Sequence, residues 1–352
     1  MDRDPPLGFP LLPDLNKSSS LRYIMNEPSR MKRGVSVILV LAFLIITAGC
    51  TGTAPVPGSP SPASPIPTGT TVAAGATPAL PALHPPSTSL EIKEYVDTAA
   101  TWAKQNGRTA AIATFNNASG IFVTGDVYVY ALDYSGIALA LPFQPNMVGV
   151  NFSPLKDASG KLYTDVEIQL AKANGGYILY HYPYPAGNQT NKLKISYVRP
   201  VDDTYWIGAG LYTSEDRLVD QQLRQFVANA KSYAEANGKE KALAAFNNTS
   251  GQFIDGELYI FAYDYNGTVL SWLNRPDQIG VNRFNATDPV GAYHVQEMIT
   301  TAKNGGGMVD YYSTNPLTNA TVLKISYVTD VDGTWLLGAG RYIVPGPLVL
   351  RA

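Results

Sequence analysis

Cysteine is almost absent from this 352-residue chain: Cys50 stands alone, so no intramolecular disulfide can form and no cysteine metal cluster is available. Histidine is nearly as scarce, and His84, His181 and His294 are too scattered along the sequence to propose a zinc site. Charge is sparse as well. Charged residues make up 15% of the chain and the formal net charge is -2, which excludes the clustered excess of Lys and Arg that phosphate binding needs. A nucleic-acid partner is therefore not expected. No His sits with a Ser and an Asp in a catalytic pattern and no metal-ligand cluster is present, so neither enzymatic activity nor a cofactor is expected.

Long apolar runs are also lacking, with one short exception. Lys32 and Arg33 precede an apolar stretch from Val35 to Ile46, which ends in Thr47-Ala48-Gly49-Cys50. A charged start, a short apolar middle and small residues before a cleavage point form the layout of a secretory signal, and the run is short for a membrane span. The small-small-Cys ending resembles the lipobox of prokaryotic lipoproteins, which implies lipidation at Cys50; the other reading is an uncleaved signal anchor. Either places the remainder outside the membrane, at the cell surface. The residues before Met31 fit no targeting pattern, so Met31 is the expected start. From Thr51 to Thr88 the chain is Pro, Ser, Thr, Ala and Gly with almost no charge. Such a segment cannot bury enough apolar surface to offset its entropy and reads as an extended linker.

What the chain does contain is a long internal repeat. Phe115-Asn116-Asn117-Ala118-Ser119-Gly120 returns 131 residues later as Phe246-Asn247-Asn248-Thr249-Ser250-Gly251. The same offset takes Ala131-Leu132-Asp133-Tyr134 to Ala262-Tyr263-Asp264-Tyr265 and Gly149-Val150-Asn151 to Gly280-Val281-Asn282. After one deletion, Lys194-Ile195-Ser196-Tyr197-Val198 matches Lys324-Ile325-Ser326-Tyr327-Val328, and Gly208-Ala209-Gly210 with Tyr212 matches Gly338-Ala339-Gly340 with Tyr342. A unit of this length holds several elements and its own apolar set, so two domains are expected, over 89–213 and 218–345, joined by a short stiff connection.

Each copy opens on an amphipathic helix, marked by Ile92, Tyr95, Val96, Ala99 and Ala103 in the first and Leu223, Val227, Ala230 and Ala234 in the second. Strand-like runs follow, with hairpin turns at Asp133-Tyr134-Ser135-Gly136 and Asp264-Tyr265-Asn266-Gly267. A second helix is expected over Leu162–Ala173 and Tyr293–Lys303, and three further strands close each copy. The fold class is α+β: a long N-terminal helix and an antiparallel β-sheet with a covering helix, the helices lying to one side.

With these motifs in order, the chain resembles a tandem of single Cache domains, the PAS-like extracellular sensor modules of chemoreceptors and histidine kinases. The resemblance covers Leu90 to Tyr212 and Leu218 to Tyr342. It implies a small-molecule pocket between the sheet, a loop and the neighbouring helix, with small carboxylates or amino acids as ligands. The family's loop strand usually reads Leu-Ala-His-Pro and its later element Gly-Lys-Asn. Here Leu141 and Trp272 stand at the His position, Val150 and Val281 at the Lys position, and Leu273 replaces the proline kept at Pro142. The polar handles have changed, so the ligand does not transfer directly.

The candidate ligand-binding residues are Tyr130, Asp133, Tyr180, Lys194, Tyr197 and Tyr212 in the first copy and Asp264, Arg275, Tyr311, Lys324, Tyr327 and Tyr342 in the second. Lys194 and Lys324 lie on apolar strand-like runs, where an ammonium is costly unless paired; the partner is either a ligand carboxylate or an internal acid such as Asp133 or Asp264, or else the lysine snorkels to an edge. The tyrosines either wall a pocket and orient a ligand through their hydroxyls or pack the core. Arg275, against Gln144 in the first copy, is either a carboxylate fork or a solvated loop residue. Asn-x-Ser/Thr triplets at Asn117, Asn151, Asn188, Asn248, Asn266, Asn285 and Asn319 fit a glycosylated archaeal surface protein and also arise by chance in Asn-rich turns. The expected role is a small-metabolite sensor or solute-capturing lipoprotein. The chain ends soon after Tyr342, so the expected signal passes to a separate signalling or transport protein. The competing expectation is a structural or adhesive surface protein that uses the fold without a ligand.

Overall fold

The computed structural model describes residues 83–185 and 190–350. The signal segment with Cys50, the linker up to residue 82 and the triplet at Asn188 lie outside the described residues. Among those described, no helix is long and apolar enough to cross a membrane.

The first module begins with α1 (Ser89–Asn106) and α2 (Arg108–Phe115), continues through β1 (Val123–Thr124), β2 (Val127–Tyr128), β3 (Tyr130–Asp133) and β4 (Ala138–Ala140), and then α3 (Tyr163–Lys172). It closes with β5 (Gly176–Pro183), β6 (Asn191–Pro200) and β7 (Tyr205–Tyr212). One helical turn, α4 (Glu215–Leu218), leads into the second module: α5 (Gln221–Asn237), α6 (Lys239–Phe246), β8 (Ile254–Asp255), β9 (Leu258–Tyr259), β10 (Phe261–Asp264), β11 (Val269–Trp272), α7 (His294–Lys303), β12 (Gly307–Thr314), β13 (Thr321–Asp330) and β14 (Trp335–Tyr342). Local chemistry sets the boundaries. Thr88 caps α1 in a reciprocal box with Glu91, Asp220 caps α5 through the Leu223 amide, and Gly107 and Gly238, both at φ 79°, let the chain turn out of each opening helix.

Each module holds a five-stranded antiparallel sheet of the same topology, in the order β4-β3-β7-β6-β5 and β11-β10-β14-β13-β12. The central strand of the first is buried at every position from Tyr205 to Tyr212. A sheet with one wet face would alternate, and here the two faces carry different helices. α1 packs on β6 and β7 from one side while α3 packs on β5 and β6 from the other. This corrects the expectation of helices to one side of the sheet.

The face under α1 and the corresponding face under α5 belong to one continuous apolar cluster running from Ile92 to Leu350. Two contacts stitch the modules at its edge. Tyr312 donates its hydroxyl to the Tyr177 carbonyl at 2.8 Å, and Lys161 Nζ lies 2.7 Å from Asp310. The modules share a core, so they form a pair and not two beads on a string. The two ends of the described chain also meet: Leu350 N donates to Ser87 O at 2.8 Å, and Ser89 N donates to Leu348 O at 3.1 Å.

Candidate ligand cavities

The face of each sheet opposite the opening helix carries a site built from equivalent positions, and the two sites differ. Side chains alternate along β6, so Lys194 and Ser196 face α3 while Ile195 and Tyr197 face α1. Facing residues of β3 and β5, Tyr130 and Tyr180, join Lys194 there. Close passage of β7 makes this arrangement possible. A Cβ on Gly208 would stand 2.5 Å from the Tyr130 hydroxyl, and one on Gly210 would stand 2.3 Å from Ser196 Oγ and 2.7 Å from Lys194 Cε. The Gly-Ala-Gly motif is thus the floor over which these side chains extend.

In the first module the site is full. Lys194, 1% exposed, points its ammonium at the rings of Tyr128, Tyr130, Tyr182 and Tyr212, 4.4 to 5.3 Å from their centroids, and donates to the Tyr128 hydroxyl at 3.2 Å. Glu167 reaches in from α3, 1% exposed, and accepts a hydrogen bond from the Tyr130 hydroxyl at 2.6 Å. The Tyr163 ring stacks on Tyr180 at 4.8 Å, and the Tyr182 hydroxyl donates to Gln144 at 2.6 Å. About 10 Å³ remains unfilled, room for one water at most. Burial pushes the Glu167 carboxyl up to about 7 against the pull of Tyr130 and Lys194. Burial likewise pushes the Lys194 ammonium down to about 7, against the charges of Glu167 and Asp126.

In the second module the equivalent place is a cavity of about 670 Å³. The repeat shows why it is open: Tyr182 becomes Ser313, Phe143 becomes Asn274 and Tyr163 becomes the smaller ring of His294. Lys324, 2% exposed, keeps its contact with a tyrosine, donating to the Tyr259 hydroxyl at 3.0 Å, and that hydroxyl shares a hydrogen bond with Tyr342 at 3.2 Å. Burial alone would raise the Tyr259 hydroxyl, but the Lys324 charge and hydrogen bonds with Tyr342, Lys324 and Asn274 outweigh it and hold it below its ordinary value. The Glu167 position is Met298, so the internal carboxylate is missing from this copy. New cations line the wall instead. Arg283 takes the place of Phe152, lies over Trp272 at 5.5 Å, and donates through one guanidinium nitrogen to Gln278 at 3.0 Å.

Arg283 Nε in this wall is buried and makes no hydrogen bond among the described residues. Burial lowers the His294 ring below its ordinary value, opposed by Asp288. Asp288 is the one carboxylate among the lining residues; it accepts the amides of Val290, Ala292 and Tyr312 at 3.0, 2.8 and 2.9 Å.

Eight of the twelve residues singled out in the sequence come to these sites. Tyr130, Tyr180 and Lys194 line the filled one, with Tyr212 at its edge; Arg275, Tyr311 and Lys324 line the open one. Tyr342 lies beneath Lys324 with its centroid at 4.7 Å. Arg275 is at the rim, its fork already closed on Asp277 by two bonds of 2.9 Å.

Four residues fall elsewhere. Asp133 and Asp264 do not pair with the lysines; each accepts the amides of its own hairpin turn, at Ser135 and Ile137 and at Asn266 and Thr268. Tyr197 and Tyr327 are three residues from the lysines and therefore on the opposite face. There Tyr197 meets Tyr177 and Lys93, and Tyr327 meets Arg224. The residues that sequence reasoning missed, Glu167, Tyr163 and Tyr182 in one copy and Arg283, Asp288 and His294 in the other, lie between the matched motifs, on the loop, the helix and, for Tyr182, strand β5. The signal for two of them was present, because Glu167/Met298 and Phe152/Arg283 are among the aligned pairs at which charge changes between copies.

Residues 92–344, well over half the chain, match the Cache domain family in its double form. The chain belongs to the Cache domain family. One match spans both modules, in keeping with the core they share, and replaces the expectation of two separate single Cache domains. A curated relative, the sensor histidine kinase MctS of Rhizobium johnstonii, is 36% identical over 86 residues; the match covers 24% of this chain and about a fifth, 19%, of that protein's length. Among solved structures, a Cache chemosensory domain described for carboxylic acid recognition is 23% identical with a TM-score of 0.30, covering 35% of this chain and 88% of that one. The ligand-binding domain of the Pseudomonas fluorescens chemoreceptor CtaA, in complex with L-isoleucine, is 12% identical with a TM-score of 0.22, covering 71% and 82%. Cache domains are extracellular or periplasmic sensor domains of membrane receptors.

Proposed function

We propose that this Cache protein is an extracytoplasmic sensor that binds a small carboxylate in the second module. The observation that carries the reading is the 670 Å³ cavity in which Lys324 and Arg283 stand without the internal carboxylate that the first module supplies to Lys194. A ligand carboxylate provides the missing countercharge. The Arg283 guanidinium and the His294 ring line the same cavity and add a second cation and a polar ring to the wall that faces the ligand. Asp288 offers an acceptor to an α-ammonium, so an amino acid fits the same wall. We assign this site no catalytic step.

The signal-like segment ending at Cys50 supports a lipid-anchored surface protein, whose occupancy is read by a separate signalling or transport partner. The test is a thermal-shift screen of the purified protein against short carboxylates, amino acids and amines, since a ligand that binds the folded state raises its apparent stability. A saturable shift from carboxylates, removed by Lys324→Met and reduced by Arg283→Ala, is the expected result. Shifts from amines alone, or from no compound, would sink the reading. Mass spectrometry of membrane-extracted protein checks the anchor: a lipid-modified Cys50 at the mature N-terminus is expected, and an unmodified cysteine in an uncleaved chain refutes it.

A further inference from the structure

The two copies differ at one pair of positions that change together. Tyr130 and Glu167 form a hydroxyl-to-carboxylate hydrogen bond in the first module, and their equivalents are Phe261 and Met298. The buried acid and its hydrogen-bond donor are both present or both gone, while the lysine they face is retained as Lys194 and Lys324. A buried ammonium without a countercharge is strongly disfavoured. Glu167 is the carboxylate among the side chains lining the residual 10 Å³ gap beside Lys194.

We propose that Glu167 is a built-in ligand: its carboxylate occupies, inside the first module, the place that the second module leaves open to a free one, and removing it exposes a latent site for a short aliphatic carboxylate on Lys194. Beyond its Cα the Glu167 side chain is a propionate, which defines the class of molecule that the emptied site accepts. The tyrosine box fits that class, with polar groups at one end and rings around an aliphatic stem. Tyr130 donates to the carboxylate, the Tyr180 hydroxyl lies 3.4 Å from that of Tyr130 and 3.1 Å from Ser196 Oγ, and the Tyr163 and Tyr182 rings enclose the rest. It follows that, of the two equivalent sites, the one in the second module is open to a ligand and the first serves as a permanently occupied copy. The comparison with a free ligand rests on the reading proposed above, and the experiment tests the first module separately from it.

The experiment uses the full chain carrying Lys324→Met, so that the second cavity contributes nothing, and adds Glu167→Ala. Propionate is the probe, with propionamide and propylamine as neutral and cationic controls. The expected result is a saturable rise in melting temperature with propionate alone, absent from the parent that keeps Glu167 and lost again when Lys194→Met is added. A folded Glu167→Ala protein that responds no more to propionate than to propionamide overturns the proposal; one that folds only when propionate is present supports it. Glu167→Gln covers the case in which the alanine variant fails to fold at all. It keeps the volume and removes the charge, so it is expected to lose the fall in stability between pH 5 and pH 7 that its parent shows and to ignore propionate. A Glu167→Gln protein whose stability falls between pH 5 and pH 7 just as its parent's does shows that this carboxylate carries no charge beside Lys194 and ends the proposal.

Discussion

The His294 ring lies flat on the ring of Tyr311, centroids 5.0 Å apart and planes 13° from parallel, where Tyr163 lies flat on Tyr180 in the first module. The stack is kept while its outer ring is exchanged for a smaller, polar one. Together with Ser313 in place of Tyr182, the exchange separates a cavity from a filled core. Reversing both, as His294→Tyr with Ser313→Tyr, is expected to close the second site. Titration calorimetry with the best ligand from the screen should then show affinity reduced about tenfold or more, with a melting temperature at or above that of wild type, because rings placed in an open cavity add buried apolar area. Unchanged affinity would mean that the ligand sits elsewhere.

The Glu167–Lys194 pair makes a pH signature. The Glu167 value is raised from 4.5 to about 7, so its contribution favours the fold below pH 4.5 and is lost as the pH rises toward 7. The Lys194 value is lowered from 10.5 to about 7, so its contribution favours the fold above pH 10.5 and is lost as the pH falls toward 7. Both slopes point to a shallow stability minimum near neutrality. Urea unfolding at pH 5, 7 and 9 should show it in the wild type and not in the Glu167→Gln, Lys194→Met double variant. A wild-type curve parallel to that of the double variant across the range would remove the buried pair as its cause.

Much of this fold was legible because the protein is written twice. Two aligned copies of each strand, turn and helix made the order of elements readable, and the lysine on the apolar strand stood out against its neighbours. The sites were less legible for a specific reason. The matched motifs mark what the copies hold in common, whereas the cavity is made where they differ, at Phe152/Arg283, Tyr163/His294, Glu167/Met298 and Tyr182/Ser313. The misplacement of Tyr197 and Tyr327 was avoidable from strand parity, since residues three apart on a strand face opposite ways. Asp133 and Asp264 show a different limit: a carboxylate that opens a hairpin is consumed by the turn's own amides.

The Gly-Ala-Gly motif yields a sharper test than its sequence indicated. A Cβ on Gly340 would stand 2.1 Å from Ser326 Oγ and 2.5 Å from the Ile325 carbonyl, in the strand pairing that carries Lys324. The carbonyl cannot rotate away. Gly340→Ala is expected to lose about 1–3 kcal/mol in urea unfolding and to weaken ligand binding through displacement of β13. A variant of wild-type stability would show that the strands separate more freely than this packing allows.

The last prediction concerns how occupancy leaves the cavity. Tyr312 donates its amide to Asp288 in the cavity wall and its hydroxyl to the Tyr177 carbonyl in the first module; Tyr177 in turn donates its hydroxyl to the Ser89 carbonyl at 2.6 Å. Ser89 opens α1 and is held by the far end of the described chain, accepting from Gly346 N and donating to the Val344 carbonyl through its own hydroxyl at 2.8 Å. The cavity wall is thus joined by a short series of hydrogen bonds to the point where the chain enters the fold. Contiguity alone does not establish coupling, so the measurement must read both ends. Hydrogen exchange of the Leu90 and Ile92 amides, which donate to Gly346 O and Thr88 O, is expected to slow when ligand fills the second cavity. Tyr312→Phe removes one buried hydrogen bond, costs about 1 kcal/mol of stability, and is expected to leave ligand affinity within about threefold of wild type while abolishing the slowing at Leu90 and Ile92. Slowing that persists in the variant assigns the transmission to the shared apolar core; no slowing in the wild type shows that the two sites are not linked.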